Sequence, residues 1–304
     1  MRILLIGQAA FAEQVLTRLA AAGHEIAAVV CPPDRGAKAD PTKAAALARR
    51  VPVHQFASLK TAEPRDAFAA AHADLAVLAY VTQIVPESLL ALPRQGSICF
   101  HPSLLPRYRG GSAIPWQVIR GETTTGVTVF WPDAGIDTGP ILVQRAAPLV
   151  PDETAGGLYY GTLFPLGVDV VVEAVELIAA GRAPRIPQDE TRATYDPLLT
   201  DAHAGIDWTA PTARVHDLVR GCDPQPGAHT AAGMTQLRVF EPRRVSGTTG
   251  QAPGTVVALD ATGVTIATSD GAVRCARLRG GGPKAAAAEV CAELGITVGT
   301  RLGT

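Results

Sequence analysis

In residues Arg2-Ile-Leu-Leu-Ile-Gly-Gln-Ala-Ala-Phe-Ala-Glu-Gln-Val-Leu-Thr-Arg-Leu-Ala-Ala-Ala-Gly23 the apolar period changes partway along. Residues 3–6 are an unbroken apolar run ending at Gly7, as in a strand buried on both faces. Phe11, Val15, Leu16 and Leu19 then recur at helical spacing until Gly23, a residue able to take the left-handed conformation that closes a helix. Strand-then-helix repeats along the chain. Apolar runs at 25–30, 75–80 and 96–101 alternate with alanine-rich, helix-forming stretches at 42–50 and 66–73. Neighbouring strands of the same direction need a long crossover, so this alternation predicts a parallel α/β sheet.

Residues 126–131 and 141–150 read as two more strands joined by a turn through 133–139. Pro151 and Thr154 open a helix whose apolar face includes Leu158, Leu166, Val170 and Ile178, and Gly181 closes it. Residues 183–203 are rich in Pro, Asp and Thr without sustained periodicity, which places an interdomain linker among them. A helix around 211–220 begins a second domain. In it, β-rich runs at 237–240, 254–259, 263–268 and 272–278 are separated by Gly, Asp and Thr turns, the pattern of a small β-barrel. The expected organisation is a catalytic domain at 1–190, a linker at 191–204 and a smaller β domain at 205–304.

The 304 residues are 47% hydrophobic, enough for a substantial core in one large or two ordinary domains. Formal net charge is −1, so no global field draws the protein to nucleic acid or an anionic membrane. The five cysteines, Cys31, Cys99, Cys222, Cys275 and Cys291, form no CxxC pair, which argues against a disulfide framework and against a zinc site; no metal site is expected. No signal-peptide pattern is present and no apolar run reaches the ~18 residues of a membrane span, so a soluble, cytoplasmic protein is expected. Gly7 and Gly23 do not belong to a GxGxxG, since positions 9 and 12 are alanine, and a dinucleotide fingerprint is absent.

Two stretches carry the chemistry: His101-Pro-Ser-Leu-Leu-Pro-Arg-Tyr-Arg-Gly-Gly-Ser-Ala-Ile-Pro-Trp116 and Gly126-Val-Thr-Val-Phe-Trp-Pro-Asp-Ala-Gly-Ile-Asp-Thr-Gly139. His101 falls at the C-terminal end of a predicted parallel strand, where open α/β sheets place their ligand crevice. A histidine there is by itself as readily structural as functional, but Pro102, Ser103 and the Arg107/Arg109 loop are hard to explain as packing. Asp133, two residues before Gly135, reads as a turn aspartate. Arg107 and Arg109 read equally as contacts to a carboxylate or phosphate, or as caps and salt bridges.

These stretches resemble the folate-dependent formyltransferase family, and within it the hydrolase domain of 10-formyltetrahydrofolate dehydrogenase, through the patterns HPSLLPRxRG and FWxDxGxDTG. The resemblance extends to Met1-Arg-Ile-Leu-Leu-Ile-Gly-Gln8, Lys38-Ala-Asp-Pro41, Gln83-Ile-Val-Pro86 and Ala180-Gly-Arg-Ala-Pro184. From Ile206-Asp-Trp208 through Ala252-Pro-Gly-Thr-Val256 the chain is similar to the C-terminal domain of methionyl-tRNA formyltransferases. The resemblance implies a Rossmann-like catalytic domain, an OB-like second domain, and 10-formyltetrahydrofolate as formyl donor. It assigns catalysis to His101 and Asp137, the pterin site to Gln83, Ile84 and Val85, and the lower wall of that site to Ser103, Leu104, Leu105 and Pro106.

The implied reaction is attack on the N10-formyl carbon, a tetrahedral oxyanion, and protonation of the departing nitrogen. An imidazolium serves the last two steps, and Asp137 can orient the nucleophile and accept its proton. Many relatives hold asparagine two residues before the histidine, where this chain has Cys99. Thiol is a weak hydrogen-bond donor. Cys99 is therefore read as a weak oxyanion donor, an inert buried thiol or a covalent nucleophile. Three acceptors compete: water, a small amine such as an amino sugar, and methionyl-tRNA. Residues 31–50 carry Arg35, Lys38, Lys43, Arg49 and Arg50 against Asp34 and Asp40, net +3. Residues 205–304 hold 10 Lys and Arg against 8 Asp and Glu, a weak footprint for tRNA. Hydrolysis to tetrahydrofolate and formate is the expected activity.

Overall fold

The computed structural model describes residues 1–303 other than Arg35, Ala37 and Lys38. Two residues of the basic segment 31–50, Arg35 and Lys38, thus lie outside the described residues, as does the start of the Lys38–Pro41 match. The chain forms two compact units. The first comprises Met1–Gly111, Gly126–Ala146 and Thr162–Tyr195; the second comprises Ser112–Thr125, Ala147–Gly161 and the chain from Asp196 onward.

The chain runs β1 (Arg2–Gly7), α1 (Ala9–Ala21), β2 (Glu25–Cys31), α2 (Pro41–Ala48), β3 (Val53–Gln55), α3 (Glu63–Ala70), β4 (Leu75–Ala79), α4 (Glu87–Leu90), β5 (Ser97–His101), α5 (Ala113–Ile119), β6 (Thr124–Phe130) and β7 (Ile141–Pro148). Among the described residues these strands form one sheet of order β3-β2-β1-β4-β5-β6-β7. Gly23 closes α1 with φ at +86°, as its position after the last apolar repeat predicts.

Strands β3 to β5 pair in parallel, but β6 runs antiparallel to β5, with His101 opposite Thr128 and Cys99 opposite Phe130. The expected parallel sheet is therefore present in β3-β2-β1-β4-β5, and the antiparallel β6 makes the whole sheet mixed. In this register β6 begins beyond the end at which β5 stops, so no crossover returns the chain to the far end. An apolar run reports burial but not direction, and the sequence could not distinguish the two.

Alternation along β5 sends Phe100 to one face and Cys99 and His101 to the other. The Phe100 ring lies 4.4 Å from that of Phe11 on α1. It is also so close to Gly167 that a methyl there would sit 2.5 Å from it. Gly167 belongs to α7 (Phe164–Ala179), so α1 and α7 back the face opposite His101. The single helix expected from Thr154 is broken. Thr154 caps α6 (Ala155–Leu158), a π-turn covers Tyr159–Leu163, and α7 restarts with Pro165 in its first turn. Pro165 has no N–H to continue the ladder and is tolerated only where a helix begins. After α7, Ile186 exchanges backbone hydrogen bonds with Ile141 at 2.8 and 2.9 Å, so residues that carry no period are still held on the first unit.

The second unit continues with α8 (Thr212–Gly221), β8 (Ala228–Ala232), β9 (Thr235–Val245), β10 (Val256–Asp260), β11 (Gly263–Ala267), β12 (Ala272–Arg279), β13 (Ala285–Ala286) and α9 (Ala287–Glu293). Its sheet is antiparallel, in the order β10-β11-β12-β9-β8 with β13 on β12. No ladder joins β8 to β10 among the described residues, so the expected closed barrel is replaced by an open sheet. Turn-separated β runs specify a meander, but closure depends on strand tilt and stagger, which they do not encode. Trp208, Val239, Ile266, Leu278 and Val290 fill the core of this unit.

Candidate active site

Strand β5 ends at His101, whose side chain is buried. Its Nε2 lies 2.7 Å from the Tyr108 carbonyl oxygen. A carbonyl only accepts, so Nε2 carries a proton and donates it there. That fixes the ring and turns Nδ1 toward the Asp137 carboxylate, 3.4 Å away. The structure thus joins the two residues that the sequence singled out, across the β6–β7 turn. Asp137 Oδ2 also accepts the Gly110 N–H at 2.8 Å.

Both flanking residues are strained. Tyr108 has φ +61° and Asp137 φ +57°, a region that costs a non-glycine residue about 1 kcal/mol or more. Each is held by side chains from outside its own loop. Thr194 Oγ1 accepts the Tyr108 N–H at 2.7 Å, and Gln188 Nε2 donates to the carbonyl oxygens of Asp137 and Gly139 at 2.8 and 2.7 Å. Asp133 forms a local turn instead, accepting from Gly135 N and Thr138 Oγ1.

The turn after His101 is pinned from β6 and β7. Thr128 Oγ1 donates to the Ser103 carbonyl at 2.6 Å and accepts the Leu105 N–H at 3.2 Å, while Gln144 Nε2 donates to the Leu105 carbonyl at 2.9 Å. Ser103, Leu105 and Pro106 are buried there and Leu104 is half-buried. Gln83, Ile84 and Val85 are spread apart. Val85 is buried with Leu78, Leu89 and Leu90, whereas Ile84 is 65% exposed. Gln83 turns to the loop after β3, where it accepts from Leu59 N and donates to the Phe56 carbonyl. It lines a small, open pocket at the C-terminal ends of β1, β2 and β4, with Gly7, Gln8, Cys31, Phe56 and Thr82. Neither His101 nor residues 103–106 line that pocket.

Cys99 packs against the apolar cluster around Leu78 and Val85. Burial, with the Asp137 charge adding to it, pushes its thiol far above the ordinary range, so it stays protonated. Arg109 is buried and committed internally: its guanidinium makes a two-pronged ion pair with Glu190 at 2.6 and 2.9 Å and donates to Gln188 Oε1 at 2.8 and 3.3 Å. Gln188, Glu190 and Thr194 were not identified from the sequence. They lie in a stretch without periodicity, and only the folded chain brings them to residues some 50 to 85 positions earlier. Among the described residues no cluster of three or more His, Cys, Asp and Glu is placed to hold a metal ion, and no helix is long and apolar enough to cross a membrane.

Residues 1–175 match the family described as Formyl transferase, and residues 198–294 match Formyl transferase, C-terminal domain. The chain belongs to the formyl transferase family. Along its full length the chain is 38% identical to methionyl-tRNA formyltransferase of Geobacter sulfurreducens, of which 97% is covered. Over 79% of the chain it is 42% identical to cytosolic 10-formyltetrahydrofolate dehydrogenase of Xenopus tropicalis, although the match spans only 27% of that protein. Among solved structures, HypX from Aquifex aeolicus in complex with tetrahydrofolic acid superposes with a TM-score of 0.71 at 22% identity, covering 98% of this chain and 48% of that one. The sugar 3N-formyl transferase WlaRD, crystallised with dTDP and 5-N-formyl-THF, gives 0.70 at 17% identity, covering 90% and 97%. These structures share the fold.

Proposed function

We propose that this member of the formyl transferase family takes the formyl group of 10-formyltetrahydrofolate and passes it to water, releasing tetrahydrofolate and formate. The observation that carries the chemistry is the buried imidazole held between a carbonyl and a carboxylate. Water attacks the formyl carbon and gives one proton to Asp137, while the carbonyl electrons move onto oxygen. Protonated His101 stabilises that oxyanion and donates to N10 as the C–N bond breaks. The proton on Asp137 then returns to His101 Nδ1 across the short gap between them, and formic acid loses its proton to solvent. The turn Ser103, Leu104, Leu105 and Pro106 beside His101 is proposed to receive the pterin, with Gln83, Ile84 and Val85, whose side chains point apart, contributing backbone groups. Cys99 takes no covalent part, because a half-buried thiol packed on an apolar cluster and held protonated is a poor nucleophile.

Water is favoured as acceptor by the long HPSLLPRxRG and FWxDxGxDTG matches and by the weak positive charge of residues 205–304. The end-to-end similarity to a methionyl-tRNA formyltransferase favours a second reading, transfer to methionyl-tRNA. Purified protein with 10-formyltetrahydrofolate, with and without charged initiator tRNA, separates the two. Formate release without acceptor is expected, and strict dependence on tRNA refutes hydrolysis. His101→Ala should abolish turnover with folate affinity retained, and Asp137→Asn should slow it on the order of 100-fold.

A further inference from the structure

We propose that residues 186–195, the aperiodic stretch after α7, act as a brace that sets the geometry of His101 and Asp137. This inference rests on the catalytic assignment of that pair. Gln188 uses its amide in one orientation only: Nε2 donates to two carbonyls of the Asp137 turn, and Oε1 accepts from the Arg109 guanidinium. A flipped amide would face oxygen against two carbonyls and N–H against N–H. Six residues later, Thr194 accepts the Tyr108 N–H through Oγ1 and the Arg109 N–H through its carbonyl, and donates its own N–H to the Pro106 carbonyl. The Tyr108 carbonyl is the partner of His101 Nε2. One short segment therefore restrains both groups that orient the imidazole, at the two strained residues, Tyr108 and Asp137.

Arg109 ties the two ends of the brace together. Its backbone N–H bonds to Thr194, while its guanidinium binds Gln188 and the Glu190 carboxylate. Gln188 and Thr194 are positioning residues that act through Asp137 and Tyr108. Displacing a catalytic group by about 1 Å costs up to about 100-fold in rate.

The test uses the full chain with 10-formyltetrahydrofolate. Gln188→Met keeps length and loses both donors, and Thr194→Val keeps shape and loses the acceptor. Each should lower kcat roughly 10- to 100-fold with the donor KM within about twofold. In the double variant Gln188→Met/Asp137→Asn the rate should equal that of Asp137→Asn alone, since Gln188 has then nothing left to position; multiplicative losses overturn the brace. Gln188→Glu provides a readout if Gln188→Met folds poorly. Its ionised carboxylate repels both carbonyls, whereas its protonated form donates one hydrogen bond, so its rate relative to the parent should rise as pH falls. A ratio independent of pH overturns the proposal. Slow Asp137→Asn beside an unimpaired Gln188→Met removes the brace alone, and an unimpaired Asp137→Asn removes the site assignment and the brace with it.

Discussion

A methyl group at position 139 tests whether the Asp137 turn is held as rigidly as its hydrogen bonds imply. Built on the Gly139 backbone, a Cβ would lie 1.8 Å from the Trp131 carbonyl oxygen and 2.9 Å from its carbon. Real Cβ atoms do not come within 3.0 Å, so the backbones must part by about 1.2 Å. Neither partner can rotate away, because both are main chain, and the adjacent Trp131 N–H is bonded to the Pro140 carbonyl at 2.9 Å. The carbonyl of Gly139 is also one of the two that Gln188 grips. Overpacking costs about 1–3 kcal/mol, and contact with backbone puts Gly139→Ala at the upper end. A shift of this size two residues from Asp137 should lower turnover by about 100-fold. Gly135→Ala in the same turn is the control. Its Cβ meets the Thr138 hydroxyl at 2.0 Å, a group that can turn away by giving up its bond to Asp133, for about 1 kcal/mol. Thermal melting and single-turnover formyl release read both effects. If Gly139→Ala melts and turns over like Gly135→Ala, the turn is not fixed by its backbone contacts and the reasoning fails.

Cys99→Ala should retain turnover, and trapping the enzyme with donor should give no formyl-thioester mass; an adduct on Cys99 would restore it as a nucleophile. In the second unit, burial pulls the Asp217 carboxyl upward, but hydrogen bonds from His216 and Arg220 and the charges of Arg220 and Arg244 hold it below its ordinary value. A depressed carboxyl stabilises above the ordinary carboxylate range and loses that effect as pH falls through its folded value. Asp217→Asn should therefore cost about 3 kcal/mol at neutral pH, with the gap to the parent closing below about pH 4; denaturant midpoints that differ equally at pH 3 and pH 7 contradict this. Binding of tRNA should be non-specific and lost as salt rises to physiological strength, because few phosphate contacts can form. Sub-micromolar affinity that survives that salt and prefers initiator tRNA would favour methionyl-tRNA as acceptor.

The sequence by itself determined the elements whose causes are local. The change from an unbroken apolar run to helical spacing places β1 and α1, and Gly23 ends the helix because its left-handed conformation costs glycine little. The spacing of Asp133 and Gly135 wrote its own turn. The His101 and Asp137 motifs marked the pair that the fold sets 3.4 Å apart. Tertiary structure alone decided what depends on partners distant in sequence. The direction of β6, the opening of the second sheet and the turn of Gln83 away from His101 leave no trace in periodicity, which records burial and not pairing. The same holds for Gln188 and Thr194. In sequence they are polar residues in an aperiodic stretch, and their roles arise from hydrogen bonds formed only after the chain has returned to β7 and to the loop beyond β5.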